Sequence, residues 1–395
     1  MNQEIAQSNL LFLYLAVFVT IVGFGMVFPL LPFYAQSFGA TPAQIGLLAA
    51  VFSIGQFFAS PIVGRISDRF GRKPVLSIAL LGVSLSFLVF GLAKSLSWLF
   101  ISRFLHGICS SGAFPIASAY IGDSTPKQER VKYMGRLTAM LSLGFIVGPA
   151  ISGFLSDSYP TLPFFIASIV AFLNSLFIFL FLPESLKEKA EKLIIKEGLV
   201  NVKAIIQSLR SEFGILFFLL IAWAFAISNF QVAFPLFAEE RFNFGGSQTG
   251  FVFALVGIVS ATVQWVLLPR FVKIFQEFPT IALGVFIMAV GQFLIPFSPT
   301  ILLLVGSVAI SSLGGSLLRP TANAVLSERT LEGQGTTMGL AFSFESLGRI
   351  MGPLSAGVLI SLFGTQGQFI LTALLLLLGL LFLLKKNNSI NNTNT

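Results

Sequence analysis

Long apolar stretches alternate with short polar connections along almost the whole chain. The apolar runs occupy residues 10–35, 44–64, 74–93, 98–122, 131–156 and 161–182, then 213–238, 248–269, 279–298, 301–327, 335–362 and 367–384. Each is close to or above the roughly 20 residues a helix needs to cross bilayer hydrocarbon. The apolar positions run on continuously, whereas the strands of a membrane barrel would alternate with a period of two. In lipid every backbone group must be satisfied within the segment, so each run reads as a helix. The pattern predicts an all-α integral membrane protein with about twelve transmembrane helices.

Composition agrees. Hydrophobic residues make up 55% of the chain, charged residues only 10%, and the mean hydropathy is +0.90, whereas a soluble domain carries about 25% charge. A net charge of +8 and a pI near 9.7 would point to nucleic acid in a soluble protein, but here the basic residues follow the loops, and no nucleic-acid partner is expected. The single cysteine, Cys109, excludes an internal disulfide and a cysteine-based metal cluster. Met1 to Asn9 contains no Lys or Arg, so the first span is expected to act as its own insertion signal rather than as a cleaved leader.

Lys and Arg positions set an orientation. With both termini cytoplasmic, nineteen basic residues fall inside: four in 65–73, four in 127–136, six in 187–210, then Arg270, Lys273, Arg329, Lys385 and Lys386. Only Lys94 and Arg241 fall outside. The charged stretch from Glu184 to Glu212 reads as a cytoplasmic linker. It divides the chain into a six-helix bundle at 1–183, the linker at 184–212 and a second six-helix bundle at 213–386. The Asn-rich tail at 387–395 reads as disordered.

The halves repeat. Met134-Gly135, Ser142-Leu143-Gly144, Gly148-Pro149 and Gly153 recur as Met338-Gly339, Ser346-Leu347-Gly348, Gly352-Pro353 and Gly357, always 204 residues later. Gln44 and Gly46 recur at the same offset as Gln248 and Gly250, as do Phe33 and Phe38 as Phe237 and Phe242. One ungapped offset in separate helices indicates duplication, with the copies entering the membrane in the same direction.

Between the second and third runs lies Gly64-Arg65-Ile66-Ser67-Asp68-Arg69-Phe70-Gly71-Arg72-Lys73. This pattern resembles the signature loop of the major facilitator superfamily. The resemblance implies a conformational latch formed by Gly64, Asp68, Arg69, Gly71, Arg72 and Lys73. Asp123 stands where the partner acid at the end of the fourth helix is expected. The matching stretch of the second half, 268–278, keeps only Arg270 and Lys273. Gly144, Gly148, Pro149 and Gly153 resemble the antiporter signature on the fifth helix. Small residues at that spacing equally serve plain helix packing.

Arg103 and His106 resemble a further family motif on the fourth span, and i, i+3 spacing puts them on one helix face. Glu345 is the one acid deep in a span, with Arg349 one turn on. An ionisable residue inside a span is a functional candidate by default, although Glu345 and Arg349 could also be a self-neutralised structural pair. Arg319-Pro320 resembles a pattern of drug exporters. Where several such exporters carry acids in the seventh and tenth helices, this chain has Gln231 and Ser316. The family architecture implies a cavity lined by the first, fourth, seventh and tenth spans. The candidates there are Phe24, Phe28, Tyr34, Trp223, Asn229, Gln231, Phe234 and Asn323, an aromatic and amide-rich set suited to lipophilic ligands.

No Walker-type G-x-x-x-x-G-K-S/T run occurs, so ATP-driven transport is not expected. With one histidine and no metal-ligand spacing, no enzyme, catalytic residue, metal or cofactor is expected. The resemblance to the drug:proton antiporter branch implies a monomeric secondary transporter of the cell membrane that exports lipophilic drugs, with H+ as coupling ion. A transporter of a sugar, organic acid or other metabolite is the alternative. A non-transporting sensor or assembly factor is the alternative of another class.

Overall fold

A computed structural model describes residues 3–126, 129–156, 159–186, 209, 213–329 and 334–393. The expected linker lies outside the described residues except at 184–186 and 209. In chain order the helices are α1 (Gln3–Gln36), α2 (Pro42–Phe70), α3 (Arg72–Gly91), α4 (Leu96–Ser110), α5 (Ala113–Ser124), α6 (Arg130–Leu155) and α7 (Leu162–Phe181). They continue with α8 (Gly214–Phe242), α9 (Gly246–Thr262), α10 (Leu268–Phe275), α11 (Glu277–Leu294), α12 (Ile301–Arg329) and α13 (Gln334–Thr393).

Among the described residues all regular structure is helical, and ten stretches are long and apolar enough to cross a membrane. Two features separate this number from the dozen apolar runs. The run at 98–122 is broken into α4 and α5 by Ser111 and Gly112, which keep right-handed helical angles. At the other end, α13 contains one non-helical residue, Gly364, with φ 74° and ψ 177°. The chain doubles back there. Phe344 meets Phe217 with ring centroids 4.8 Å apart, while Gly379 lies against Leu219 and Phe218. In a straight helix those two positions of α13 would be roughly 50 Å apart at 1.5 Å per residue. The second arm continues to Thr393, into the stretch that the sequence alone assigns to disorder.

Other interruptions also have local causes. Pro269 follows a five-residue π-helical turn, Val263–Leu267. A proline lacks the N–H and crowds the carbonyl one turn back, and a widened turn relieves both. Asn243 ends α8 in the left-handed conformation, its N–H reaching Ala238 and Glu239 carbonyls, as helix C-caps commonly do.

The chain forms two compact units. The first comprises Met1–Thr41, Val51–Val200 and Phe244–Ala254. In it α1 packs on α6 and α7, and α3 on α4 and α7. The α3–α7 seam is a ladder of serines. Ser77 and Ser175 each donate to the other's carbonyl, at 3.0 and 2.7 Å. Ser84 and Ser168 do the same at 2.8 and 2.9 Å. Small hydroxylated residues let two backbones approach where lipid supplies no hydrophobic drive for association.

The second unit comprises Pro42–Ala50, Asn201–Asn243 and Leu255–Thr395. There α8 packs on α13, and α11 on α12 and α13, around Leu216, Leu220, Val285, Met288, Leu318, Val325, Phe344 and Leu376. Across the protein large apolar side chains also point outward, Leu302 at 81% and Phe154 at 79% exposure among them. An outer surface of that kind needs an apolar solvent.

Candidate functional site

The junction of α2 and α3 is a compact polar network in the first unit. Arg72 opens α3 and its side chain is only 9% exposed. Its Nη1 meets the Asp68 carboxylate at 2.5 Å and donates to Ser67 Oγ at 2.7 Å. Its Nε donates to Asp123 Oδ2 at 3.1 Å. Arg72 is therefore the base that meets Asp123, whereas Arg69 lies over the Phe70 ring and Lys73 near the Phe179 ring. Gly64 has open space around it.

Sequence reasoning left one member of this network unassigned. Glu184 accepts from the backbone N–H groups of Arg72 at 2.9 Å and Lys73 at 3.2 Å. A carboxylate at that place satisfies the free donors of the helix start and complements its dipole. Between Asp68 and Arg72 the chain turns at Gly71, with φ 112° and ψ 156°, a region essentially reserved for glycine. A Cβ on Gly71 would also collide with the Glu184 carboxylate. The Pro183-Glu184 step straight after the sixth apolar run was the available signal, but it read as the start of a linker.

In α4, Arg103 is 1% and His106 2% exposed. The Arg103 guanidinium lies over Phe52 at 4.5 Å and near Phe28 at 5.9 Å, and Nη1 is 3.5 Å from His106 Nδ1. The His106 ring contacts Phe87 at 4.5 Å. Arg103 Nε and Nη2 and His106 Nε2 have no hydrogen-bond partner among the described residues. Both residues share one face, as their spacing implies, and that face is enclosed by aromatic rings.

The second unit holds the other ionic cluster. Glu345 is 2% exposed. Arg319 grips it with a two-pronged fork, Nε to Oε1 at 2.8 Å and Nη2 to Oε2 at 3.0 Å. Arg349 Nη2 adds a bond to Oε2 at 2.7 Å, and Asn323 Nδ2 one to Oε1 at 3.4 Å. The Arg319 guanidinium stacks over Trp223 at 4.8 Å. The pair read from i, i+4 spacing is thus a triad, and the fork from α12 is its stronger arm.

The glycine set of α6 makes close backbone contacts within the first unit. A Cβ on Gly148 would run into the Val22 carbonyl, and one on Gly250 would stand 2.6 Å from both Gly153 Cα and the Pro149 carbonyl. The duplicated residues repeat this in the second unit, where a Cβ on Gly46 would hit the Pro353 carbonyl and lie 3.0 Å from Gly357 Cα. Gly46 stands 204 positions before Gly250, and Gly357 stands 204 positions after Gly153.

The cavity candidates divide. Phe24 and Phe28 meet edge to face at 4.4 Å within reach of Phe52. Tyr34 donates to the Phe90 carbonyl at 3.3 Å and belongs to the packing of its own unit. Phe234 is fully buried, and Asn229, 1% exposed, bonds weakly to the Gly352 carbonyl and Ser355 at 3.5 Å. Gln231 is half-buried. Trp223 and Asn323 join the Glu345 cluster.

Comparison with known proteins gives a consistent result. Residues 13–279 and 266–394 match the Major Facilitator Superfamily. The chain is 31% identical over 384 residues to Multidrug resistance protein 2 of Bacillus subtilis (strain 168), covering 96% of each. It is 27% identical over 353 residues to Quinolone resistance protein NorA of Staphylococcus aureus (strain COL), covering 88% of each. A solved bacterial homolog of the human lysosomal transporter Spinster, inward-facing and unoccupied, shares the fold with a TM-score of 0.85 at 17% identity, over 98% of both chains. With its apolar helices, its polar α2–α3 junction and its matches over nearly the full length, the chain belongs to the Major Facilitator Superfamily and is a multi-pass plasma-membrane transporter of small molecules, not an enzyme.

Proposed function

We propose that this transporter is a proton-coupled antiporter that exports lipophilic drugs or related small organic molecules by alternating access. The observation that carries the reading is the buried Glu345 carboxylate, set inside an apolar helix and held by two arginines. A group of this kind is costly in a span and marks an ion or substrate path. The multidrug and quinolone resistance relatives support a lipophilic cargo, as does the aromatic set of Phe24, Phe28 and Trp223.

In this reading α4 and α5 make one crossing and the two arms of α13 make two. The chain then crosses about twelve times, in two six-helix halves, with both termini on the cytoplasmic side rich in Lys and Arg. Arg72, Asp68, Asp123 and Glu184 form the latch. Opening such a network costs a few kcal/mol at most, enough to bias a two-state equilibrium. Gly148 and Gly153 act as the antiporter signature by letting neighbouring backbones close on α6. The protein works as a monomer without a cofactor.

The test uses proteoliposomes with a pH-sensitive dye inside and an imposed proton gradient. Lipophilic cations, neutral drugs, sugars and organic anions are added in turn. Proton movement opposite to a lipophilic compound, lost in Asp68→Asn, is the expected result. Substrate flux without proton movement would overturn the coupling, and flux of sugars alone would overturn the cargo.

A further inference from the structure

The charge balance of the Glu345 cluster bears on what the transporter carries. Two guanidinium groups, Arg319 and Arg349, share one carboxylate. Glu345 Oε1 accepts from Arg319 and Asn323, and Oε2 from Arg319 and Arg349. Those four bonds fill the acceptor capacity of a carboxylate. A cationic ligand therefore finds no free acceptor on Glu345 and would have to displace an arginine from a fork. An anion meets a different surface. The cluster keeps one positive charge in excess, and it is reachable, because the Arg319 side chain is 42% and the Arg349 side chain 31% exposed while Glu345 is 2% exposed.

The surroundings suit an amphiphile. Arg319 lies over the Trp223 ring, which leaves its Nη1 edge without a hydrogen bond among the described residues. Trp223 Nε1 is buried and has no hydrogen-bond partner among the described residues. An aromatic wall with an unsatisfied donor beside two guanidinium groups accommodates a planar anionic head attached to an apolar body. The first unit shows the same sign of imbalance, since Arg103 is buried among Phe28, Phe52 and His106 with no carboxylate bonded to it among the described residues.

We propose that Arg319 and Arg349, backed by Trp223, form a subsite for the anionic end, carboxylate or sulfonate, of a lipophilic organic ligand, so that the cargo is an organic anion or a zwitterion. The proposal rests on the transporter reading for the passage of that ligand, whereas binding at the subsite is independent of it.

The test measures binding on the full chain in nanodiscs. Trp98→Phe and Trp265→Phe, both at exposed positions, leave Trp223 as the sole tryptophan. Three quenchers with one body are compared: a bromophenyl butyrate, its methyl ester and the matching bromophenyl butylammonium. The carboxylate should quench Trp223 saturably and bind about tenfold or more tightly than the ester or the ammonium, a difference of about 1.4 kcal/mol. A bromophenyl butanesulfonate in the same assay separates the two heads. Arg319→Gln should erase the carboxylate preference while leaving ester binding unchanged. Arg349→Gln, which keeps the fork from Arg319 to Glu345, should reduce that preference and serves if Arg319→Gln fails to fold.

Tighter binding of the ammonium, binding of none of the probes, or a preference untouched by either substitution would overturn the subsite. Proton-linked flux separates this from the broader reading. If the ammonium compound drives it, the antiporter stands and the anion subsite falls. If the carboxylate binds selectively but no probe moves protons, the subsite stands and the coupling falls.

Discussion

Replacing Gly71 by alanine tests the α2–α3 junction most directly. The backbone at φ 112° and ψ 156° costs a residue with a Cβ roughly 1–3 kcal/mol. The new methyl would also occupy the place of the Glu184 carboxylate. Moving that carboxylate away releases the Arg72 and Lys73 N–H groups, bonded at 2.9 and 3.2 Å. At a partly exposed helix start this capping contributes about 1 kcal/mol. The expected loss for Gly71→Ala is therefore roughly 2–4 kcal/mol, read from equilibrium unfolding in mixed micelles followed by helicity. Glu184→Ala alone should cost about 1 kcal/mol. In the double variant the collision is gone, and the backbone strain and the lost capping remain, each counted once. The two losses should then fall short of additivity by about 1 kcal/mol. A Gly71→Ala protein as stable as its parent would refute the backbone argument, and strict additivity would refute the contact with Glu184.

Three further outcomes are expected. Asp123→Asn should leave membrane insertion intact but slow transport severalfold in proteoliposomes, because Arg72 Nε loses its charged acceptor while Asp68 retains Nη1; unchanged flux would remove Asp123 from the latch. Glu345→Gln should flatten the dependence of transport on internal pH and lower stability by about 3–5 kcal/mol, the usual cost of breaking a buried ion pair from one side; an unaltered pH profile counts against its coupling role. Gly250→Val should abolish transport without preventing expression, since even a Cβ there stands 2.6 Å from Gly153 Cα; normal flux would mean that this close approach is not needed for the cycle.

The helical runs were legible because lipid leaves the backbone no alternative, so an apolar stretch of sufficient length carries its own structure. The sites of interruption were not. Ser111-Gly112 sits inside a run that is apolar enough to pass unbroken, and nothing in hydropathy marks where a helix pauses. The 204-residue offset identified Gly46 with Gly250 and Gly153 with Gly357. That Gly250 would meet Gly153, and Gly46 would meet Gly357, is a long-range contact that no local pattern encodes. The same limit applies to the ionic groups. Arg349 was found from Glu345 because one turn of helix separates them, whereas Arg319 reaches Glu345 from α12 and Glu184 reaches Arg72 across 112 positions. The serine ladder did leave a trace, since Ser77 and Ser84 lie seven apart, as do Ser168 and Ser175, a spacing that returns to the same helix face after two turns.

That ladder also bears on biogenesis. Ser77 and Ser84 leave the ribosome long before their partners, and in lipid their hydroxyl groups must meanwhile turn back to carbonyls of their own helix. Only when α7 arrives beside α3 can four hydroxyls exchange those local bonds for shared ones. The seam closes in a single register, so a half-made unit lacks it and a finished one carries it. Closure of the α3 seam is thus recorded in the arrival of α7, and a chain stopped before Leu162 should remain open at α3 to whatever helix the membrane offers.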